Sequence, residues 1–175
     1  FPEDAIGTIY RGKQVIIAGD SNQLPPTSFF SKVGSDEFSE DLDDIDLIIR
    51  SPGIALSHPL LMLAYAKKIR IISEIEFAYS QNNKGKIIAL TASNGKTSTL
   101  YYTYQILKHY FKNVLFIGNN GEPYSSYIDK IDDNTIILLE LSSFQLENTY
   151  SLKPFISCIT NISENHLDKV ANYQE

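Results

Sequence analysis

The sequence predicts an α/β fold made of two parallel-sheet domains. Two observations carry this expectation. Short apolar runs rich in β-branched residues alternate with longer stretches of helical period, the pattern of a parallel sheet covered by helices. The alternation breaks once, at the polar stretch Gln81-Asn82-Asn83-Lys84-Gly85, and then restarts. A boundary there predicts domains over 1–83 and 84–175.

The elements follow in order. Gln14–Gly19 (QVIIAG) reads as a buried strand. Asp20–Ser39 is rich in Ser, Pro, Asn and Gly and reads as loop. Ile45–Arg50 (IDLIIR) is a second strand, broken by Ser51-Pro52-Gly53. Leu56–Lys68 spaces its leucines as an amphipathic helix does. Arg70–Ile72 is a short strand, with a helix after it to about Ser80. Beyond the boundary, Lys86–Leu90 is a strand and the stretch from about Gly95 to Tyr110 a helix. Val114–Ile117, Thr135–Leu141 and Phe155–Ile159 are the remaining strands.

Composition bounds the function. The chain has 175 residues, 43% hydrophobic and 21% charged, which is globular rather than disordered. A net charge of −6 argues against a general surface for nucleic acid or anionic membrane, so any phosphate site must be built locally. No apolar stretch is long enough to span a bilayer. The single cysteine, Cys158, lies in an apolar run and is expected to be a buried, reduced thiol. No signal peptide is visible, and the abrupt start at Phe1 and stop at Glu175 suggest missing ends.

The sharpest local signal is Thr91-Ala92-Ser93-Asn94-Gly95-Lys96-Thr97-Ser98, between a strand and a helix. A helix start offers unpaired N–H groups and a positive dipole end to an anion. Gly95 lets the backbone approach phosphate oxygens, Lys96 can reach the outer phosphates, and the Thr97 hydroxyl can sit on a bridging Mg²⁺. The ordinary phosphate-loop pattern needs a glycine where Leu90 stands. A capped helix start with a surface lysine is the plainer alternative. Glu140, at a strand's carboxyl end, can hold a metal near phosphates or be a solvated acid. His166 can ligate metal or lie idle on the surface. Gly118-Asn119-Asn120-Gly121 and Ser51-Pro52-Gly53 read by themselves as turns. His58 reads as a loop or helix-start residue and His109 as an exposed helix residue.

Taken together these strings resemble the Mur ligase family. The loop around Gly95-Lys96-Thr97 is similar to the shortened phosphate loop of Mur ligases and folylpolyglutamate synthases. Ala92 stands where that loop usually has glycine, and a positive φ there would cost alanine about 1–2 kcal/mol. Glu140-Leu141-Ser142-Ser143-Phe144-Gln145-Leu146-Glu147 resembles a signature of the branch that joins D-glutamate to UDP-N-acetylmuramoyl-L-alanine. Ser51–Pro59 resembles that branch's Ser-Pro-Gly segment. Asn161 to Asp168 resembles the family's Asn-x-x-x-Asp-His-x-Asp segment, with Asn165 in place of the aspartate. Asp20-Ser21-Asn22 falls where the family often has Asp-Thr-Arg near the uracil.

The resemblance implies an ADP-forming amide ligase of peptidoglycan biosynthesis, cytoplasmic and monomeric, using ATP and Mg²⁺ and no nucleic acid or membrane. It implies a partial Rossmann-like UDP-sugar-binding domain over 1–83 and a partial P-loop ATP-binding central domain over 84–175. The amino-acid-binding third domain, and a carbamylated lysine, are expected beyond Glu175. ATP would contact Ala92, Ser93, Asn94, Gly95, Lys96, Thr97 and Ser98. Thr97 would hold one Mg²⁺, and Glu140 with His166 a second; Lys96 and His166 would be catalytic. Ser51, Gly53, Asn119, Ser142 and Gln145 would contact the muramyl substrate. Two alternatives remain open: another Mur or folylpolyglutamate-type ligase, and a non-catalytic nucleotide-binding module.

Overall fold

Runs of Ile, Leu and Val keep their strand character in three dimensions because both faces of a parallel sheet are covered. In the computed structural model, residues 16–18, 42 and 44–163 are described. The described chain is mixed α/β with two parallel sheets and divides into two compact units.

The first unit holds a sheet of β1 (Ile16–Ala18), β2 (Leu47–Arg50) and β3 (Arg70–Ser73) in that order. All pairs are parallel, with Ile16 opposite Ile48 and Ile48 opposite Ile71. Helix α1 (Pro59–Ala66) connects β2 to β3 and presses Leu60, Leu61 and Ala64 onto Ile48 and Ile71, with Leu42 and Ile45 completing the core. Pro59 opens this helix without cost, since its missing N–H would be unpaired anyway. His58 is its N-cap, Nδ1 accepting the Leu60 N–H at 3.3 Å, the helix-start member of the two readings its sequence position allowed. Helix α2 (Glu74–Gln81) begins directly after β3, capped by the Ser73 hydroxyl on the Glu76 N–H at 3.0 Å.

The second unit holds β4 (Lys86–Thr91), β5 (Val114–Gly118), β6 (Ile136–Glu140) and β7 (Ile156–Ile159), ordered β5-β6-β4-β7 and all parallel. β6 is central and every residue of it is buried. Helix α3 (Lys96–Leu107) crosses from β4 to β5, packing Leu100 on Leu90 and Leu138. It stops short of the expected Tyr110 because Tyr110 and Phe111 both return their N–H groups to Leu107 O, a closing turn at 2.9 Å. β7 pairs with β4 alone among the described residues, and its residues are exposed. Cys158 is therefore an exposed free thiol rather than a buried one: an apolar run on an edge strand has only one neighbour to bury it.

Two short elements were not expected from the sequence, a 3-10 helix over Tyr124–Lys130 and α4 (Ser143–Leu146). They belong to stretches, Pro123–Asp129 and Ser143–Leu152, that pack with the first unit although they follow strands of the second. In the first unit the Ser73 N–H at the end of β3 donates to Asn148 O at 2.8 Å, and Asn82 Nδ2 donates to Ile128 O at 2.7 Å.

Candidate functional site

The site in the second unit starts from register. Leu90, near the end of β4, lies opposite Glu140 at the end of β6, and Gly118, the end of β5, lies opposite Glu140 on the other side. The loop after β4, the carboxylate ending β6 and the turn after β5 are thereby gathered at the carboxyl edge of one sheet, where α/β folds bind ligands.

Gly95 is the N-cap of α3, at φ 77° and ψ 10°. A Cβ there would meet nothing within 4 Å, so it is the left-handed backbone and not crowding that calls for glycine. No side chain caps this helix, which leaves the N–H groups of its first turn free of a side-chain acceptor. Ala92 is not at positive φ; among the described residues only Lys68 is a non-glycine there. The alanine in place of glycine therefore carries no backbone strain. Lys96 folds back over the loop, its Nζ donating to Ala92 O at 2.7 Å and Ser93 O at 3.4 Å. Ser98 sits in the exposed first turn of α3.

Glu140 is 1% exposed. Its Oε1 accepts from Thr97 Oγ1 at 3.1 Å and from Asn119 Nδ2 at 3.2 Å. Its Oε2 is buried with no hydrogen-bond partner. An acceptor oxygen withdrawn from water and left unmatched costs free energy unless a donor or cation fills the place. Gly118 makes the gathering possible: at φ 108° it lies so close to β6 that a Cβ would collide with Glu140 O. Asn119 then donates its N–H to Glu140 O at 2.9 Å as well as its side-chain amide to the carboxylate.

One set of contacts here was not legible in the sequence. Asn161, after β7, holds the loop that follows β4. Its Oδ1 accepts the Asn94 N–H at 3.0 Å and its Nδ2 donates to Asn94 O at 2.8 Å. The Ser93 N–H donates to Asn161 O at 3.1 Å, and Ser93 Oγ bonds with the backbone of Ser163. An Asn ending a strand that neighbours the loop-bearing strand is the signal that would have found it.

In the first unit, Ser51 and Gly53 form the turn after β2, closed by the Ile54 N–H on Ser51 O at 3.1 Å. Gln145 lies buried on α4 in the same unit, whereas Ser142 ends the preceding stretch of the second unit. The structure thus brings Thr97, Asn119 and Glu140 into one hydrogen-bonded group, with Lys96 on the same loop. His166, Asn165 and Asp168, like Asp20-Ser21-Asn22, lie outside the described residues. Among the described residues no group of three His, Cys, Asp or Glu side chains forms a ready-made metal cluster, and no helix is long and apolar enough to cross a membrane.

Comparison with known proteins follows the same line. Residues 90–175 match the model of the Mur ligase middle domain. A UDP-N-acetylmuramoylalanine–D-glutamate ligase from Caldicellulosiruptor saccharolyticus is 40% identical over 131 residues, covering 75% of this chain and 29% of that protein. A protein of the same name from Alkaliphilus metalliredigens is 32% identical over 181 residues, covering 94% of this chain and 39% of its own. A solved structure of UDP-N-acetylmuramate:L-alanyl-gamma-D-glutamyl-meso-diaminopimelate ligase from Neisseria meningitides matches with TM-score 0.49 and 13% identity, over 92% of this chain and 55% of that one. The chain spans roughly a third of the length of the curated relatives it matches, 29% and 39% in the two cases above. By its middle-domain match and by relatives that align along most of its length, the chain belongs to the Mur ligase family.

Proposed function

We propose that this chain carries the nucleotide-handling part of an ADP-forming amide ligase that adds D-glutamate to UDP-N-acetylmuramoyl-L-alanine. In this reading residues 1–83 belong to a Rossmann-like domain for the UDP-sugar and 84–175 to a P-loop domain for ATP, in a cytoplasmic, monomeric enzyme of peptidoglycan synthesis. The observation that carries it is Glu140: a buried carboxylate with one oxygen on Thr97 and Asn119 and the other without a partner, at the strand end beside an uncapped helix start. The choice of amino acid rests on the Glu140–Glu147 string and on the names of the relatives.

The reaction has two balanced steps. A substrate carboxylate oxygen attacks the γ-phosphorus of ATP, and the bond to the β-bridging oxygen breaks, giving an acyl phosphate and ADP. The amine of D-glutamate then attacks the acyl carbon and, after losing a proton, forms the amide as phosphate leaves. The first step brings two anions together, so its barrier falls with charge neutralisation and positioning. The first-turn N–H groups of α3 receive phosphate oxygens. Lys96 exchanges its bonds to Ala92 O and Ser93 O for the outer phosphates. Asn161 holds the loop in the shape that receives them.

The orphaned Glu140 Oε2 and the Thr97 hydroxyl are an oxygen donor set that fits Mg²⁺. Thr97 would hold one Mg²⁺, and Glu140 together with His166 a second. Bound there, Mg²⁺ supplies neutralisation of phosphate charge. Asn119 would approach the acyl part of the substrate, and Ser51, Gly53, Ser142 and Gln145 its nucleotide-sugar and muramyl parts.

The test is Lys96→Ala in the full-length enzyme. Acyl-phosphate formation, read as ADP release without D-glutamate, is expected to fall by about 10²–10³-fold. Near-normal release would remove Lys96 from the phosphate site and the reading with it.

A further inference from the structure

Arg50, the last residue of β2, is a buried cation to which the reaction above gives no task. Its side chain is 3% exposed. Taking a guanidinium out of water is costly unless it is paired and hydrogen-bonded. Here Nη1 donates to Glu147 Oε2 at 2.8 Å and to Asn148 Oδ1 at 2.6 Å, while Nε donates to Ile54 O at 2.8 Å. Those acceptors are on two separate stretches of the first unit. Ile54 closes the turn that begins at Ser51. Glu147 and Asn148 follow α4, the element bearing Gln145. The far stretch is itself anchored. Asn148 O accepts the Ser73 N–H, and Thr149 Oγ1 donates to Gln145 O at 2.7 Å. One planar fork thus ties the Ser51–Ile54 turn to the segment carrying Gln145, about a hundred residues away in sequence.

We propose that Arg50 is a positioning residue for the UDP-sugar site: it sets the Ser51–Ile54 turn and the Gln145 segment at a fixed separation, and so governs affinity for UDP-N-acetylmuramoyl-L-alanine without touching it. This deepens the function proposed above and rests on it for the identity of the ligand. Fixing such a separation matters because small misplacements of binding groups cost affinity steeply. A bidentate arginine suits the task better than lysine, whose single point charge cannot hold both acceptors and the Ile54 carbonyl in one plane.

The experiment uses the full-length enzyme with Arg50→Met, Arg50→Lys and Glu147→Ala. Steady-state kinetics with each substrate varied in turn are paired with amide hydrogen exchange. Arg50→Met is expected to raise KM for UDP-N-acetylmuramoyl-L-alanine about tenfold, with KM for ATP and kcat within about twofold. Arg50→Lys should recover part of that loss. Exchange should speed up in Ser51–Ile54 and Ser143–Asn148 together. Glu147, with a side chain 32% exposed, can be truncated without burying a void. Its alanine variant should raise the same KM about threefold, which keeps the test alive if Arg50→Met does not fold. An unchanged KM for the UDP-sugar in a folded Glu147→Ala or Arg50→Met enzyme would overturn the inference. So would an equal rise in both KM values, the mark of a merely structural residue. A wild-type enzyme inert toward UDP-N-acetylmuramoyl-L-alanine would instead overturn the functional reading; the exchange measurement then still decides whether Arg50 pins the two segments.

Discussion

Glu140 shows how one side chain can be committed on one side and open on the other. Thr97 and Asn119 fix its Oε1, so the carboxylate cannot rotate freely, and Oε2 is held in a dry place without a partner. Glu140→Gln keeps the volume and an acceptor for those two donors but removes the charge. The half-saturating Mg²⁺ concentration for ADP release should rise by about tenfold or more, in a variant that unfolds near the wild-type temperature. An unchanged magnesium titration would overturn the proposal that Glu140 holds a metal ion. Gly118 is the second residue whose identity is dictated by its place. Its φ of 108° and its contact with Glu140 O leave no room for a methyl group. Gly118→Ala should cost about 2–4 kcal/mol in urea unfolding, from backbone strain and the forced parting of β5 and β6. A loss below roughly 0.5 kcal/mol would mean that the two strand ends separate freely. Of these residues, the sequence points to Glu140, Thr97 and Lys96 because their chemistry is local to a strand end and a helix start. It does not point to Asn161 or Arg50, since Asn94 lies 67 residues from the one and Glu147 97 residues from the other, and no local pattern encodes those meetings.

Elements with a clear period were the legible ones. The expected strands appear with ends within two residues of those expected, because an apolar β-branched run between turn residues has few other uses. The 3-10 helix and α4 were not legible, being too short to show a helical period. Nor does any composition mark Ser143–Leu152 as packing with the first unit. What holds that stretch there is polar. Glu76, buried in the first turn of α2, accepts the N–H groups of Tyr150 and Ser151 at 2.9 and 2.8 Å on Oε2. Burial pushes the Glu76 carboxyl up, but the N–H groups of Ser151 and Tyr150 and the charge of Arg70 outweigh it and hold the pKa below the ordinary 4.5. The folded state then binds its proton more weakly than the unfolded chain does. Its stabilising contribution is present above pH 4.5 and is lost as the pH falls through the lowered value. Glu74, whose carboxyl burial raises despite the Ser125 N–H, works in the opposite sense, so the wild-type profile alone mixes the two. Comparing urea unfolding of wild type and Glu76→Gln separates them. Their difference should be largest above pH 4.5 and shrink as the pH falls below it. A difference that stays constant with pH would mean that Glu76 acts only through packing.

At the scale of the whole molecule, connectivity matters more than the division into two units. The chain passes from one unit to the other after Asn83, Glu122, Asp129, Ser142 and Leu152. Two beads on one linker could unfold separately. A chain that returns repeatedly cannot release one unit without freeing segments that the other needs, since Pro123–Asp129 and Ser143–Leu152 are held at both ends by strands of the second unit. Unfolding is therefore expected to be a single cooperative transition, with calorimetric and van't Hoff enthalpies in agreement. A ligand bound to one unit would then act on all of it. If ATP with Mg²⁺ binds at the α3 start, a concentration of about 100 times Kd adds roughly 2.7 kcal/mol to the stability of everything that unfolds in that transition. Hydrogen exchange in α1 and α2, elements of the first unit, should slow along with exchange in α3 and β4 when nucleotide and metal are added, and neither should respond in Lys96→Ala. Two resolved transitions, with only the second unit responding to nucleotide, would show that the repeated crossings do not couple the units.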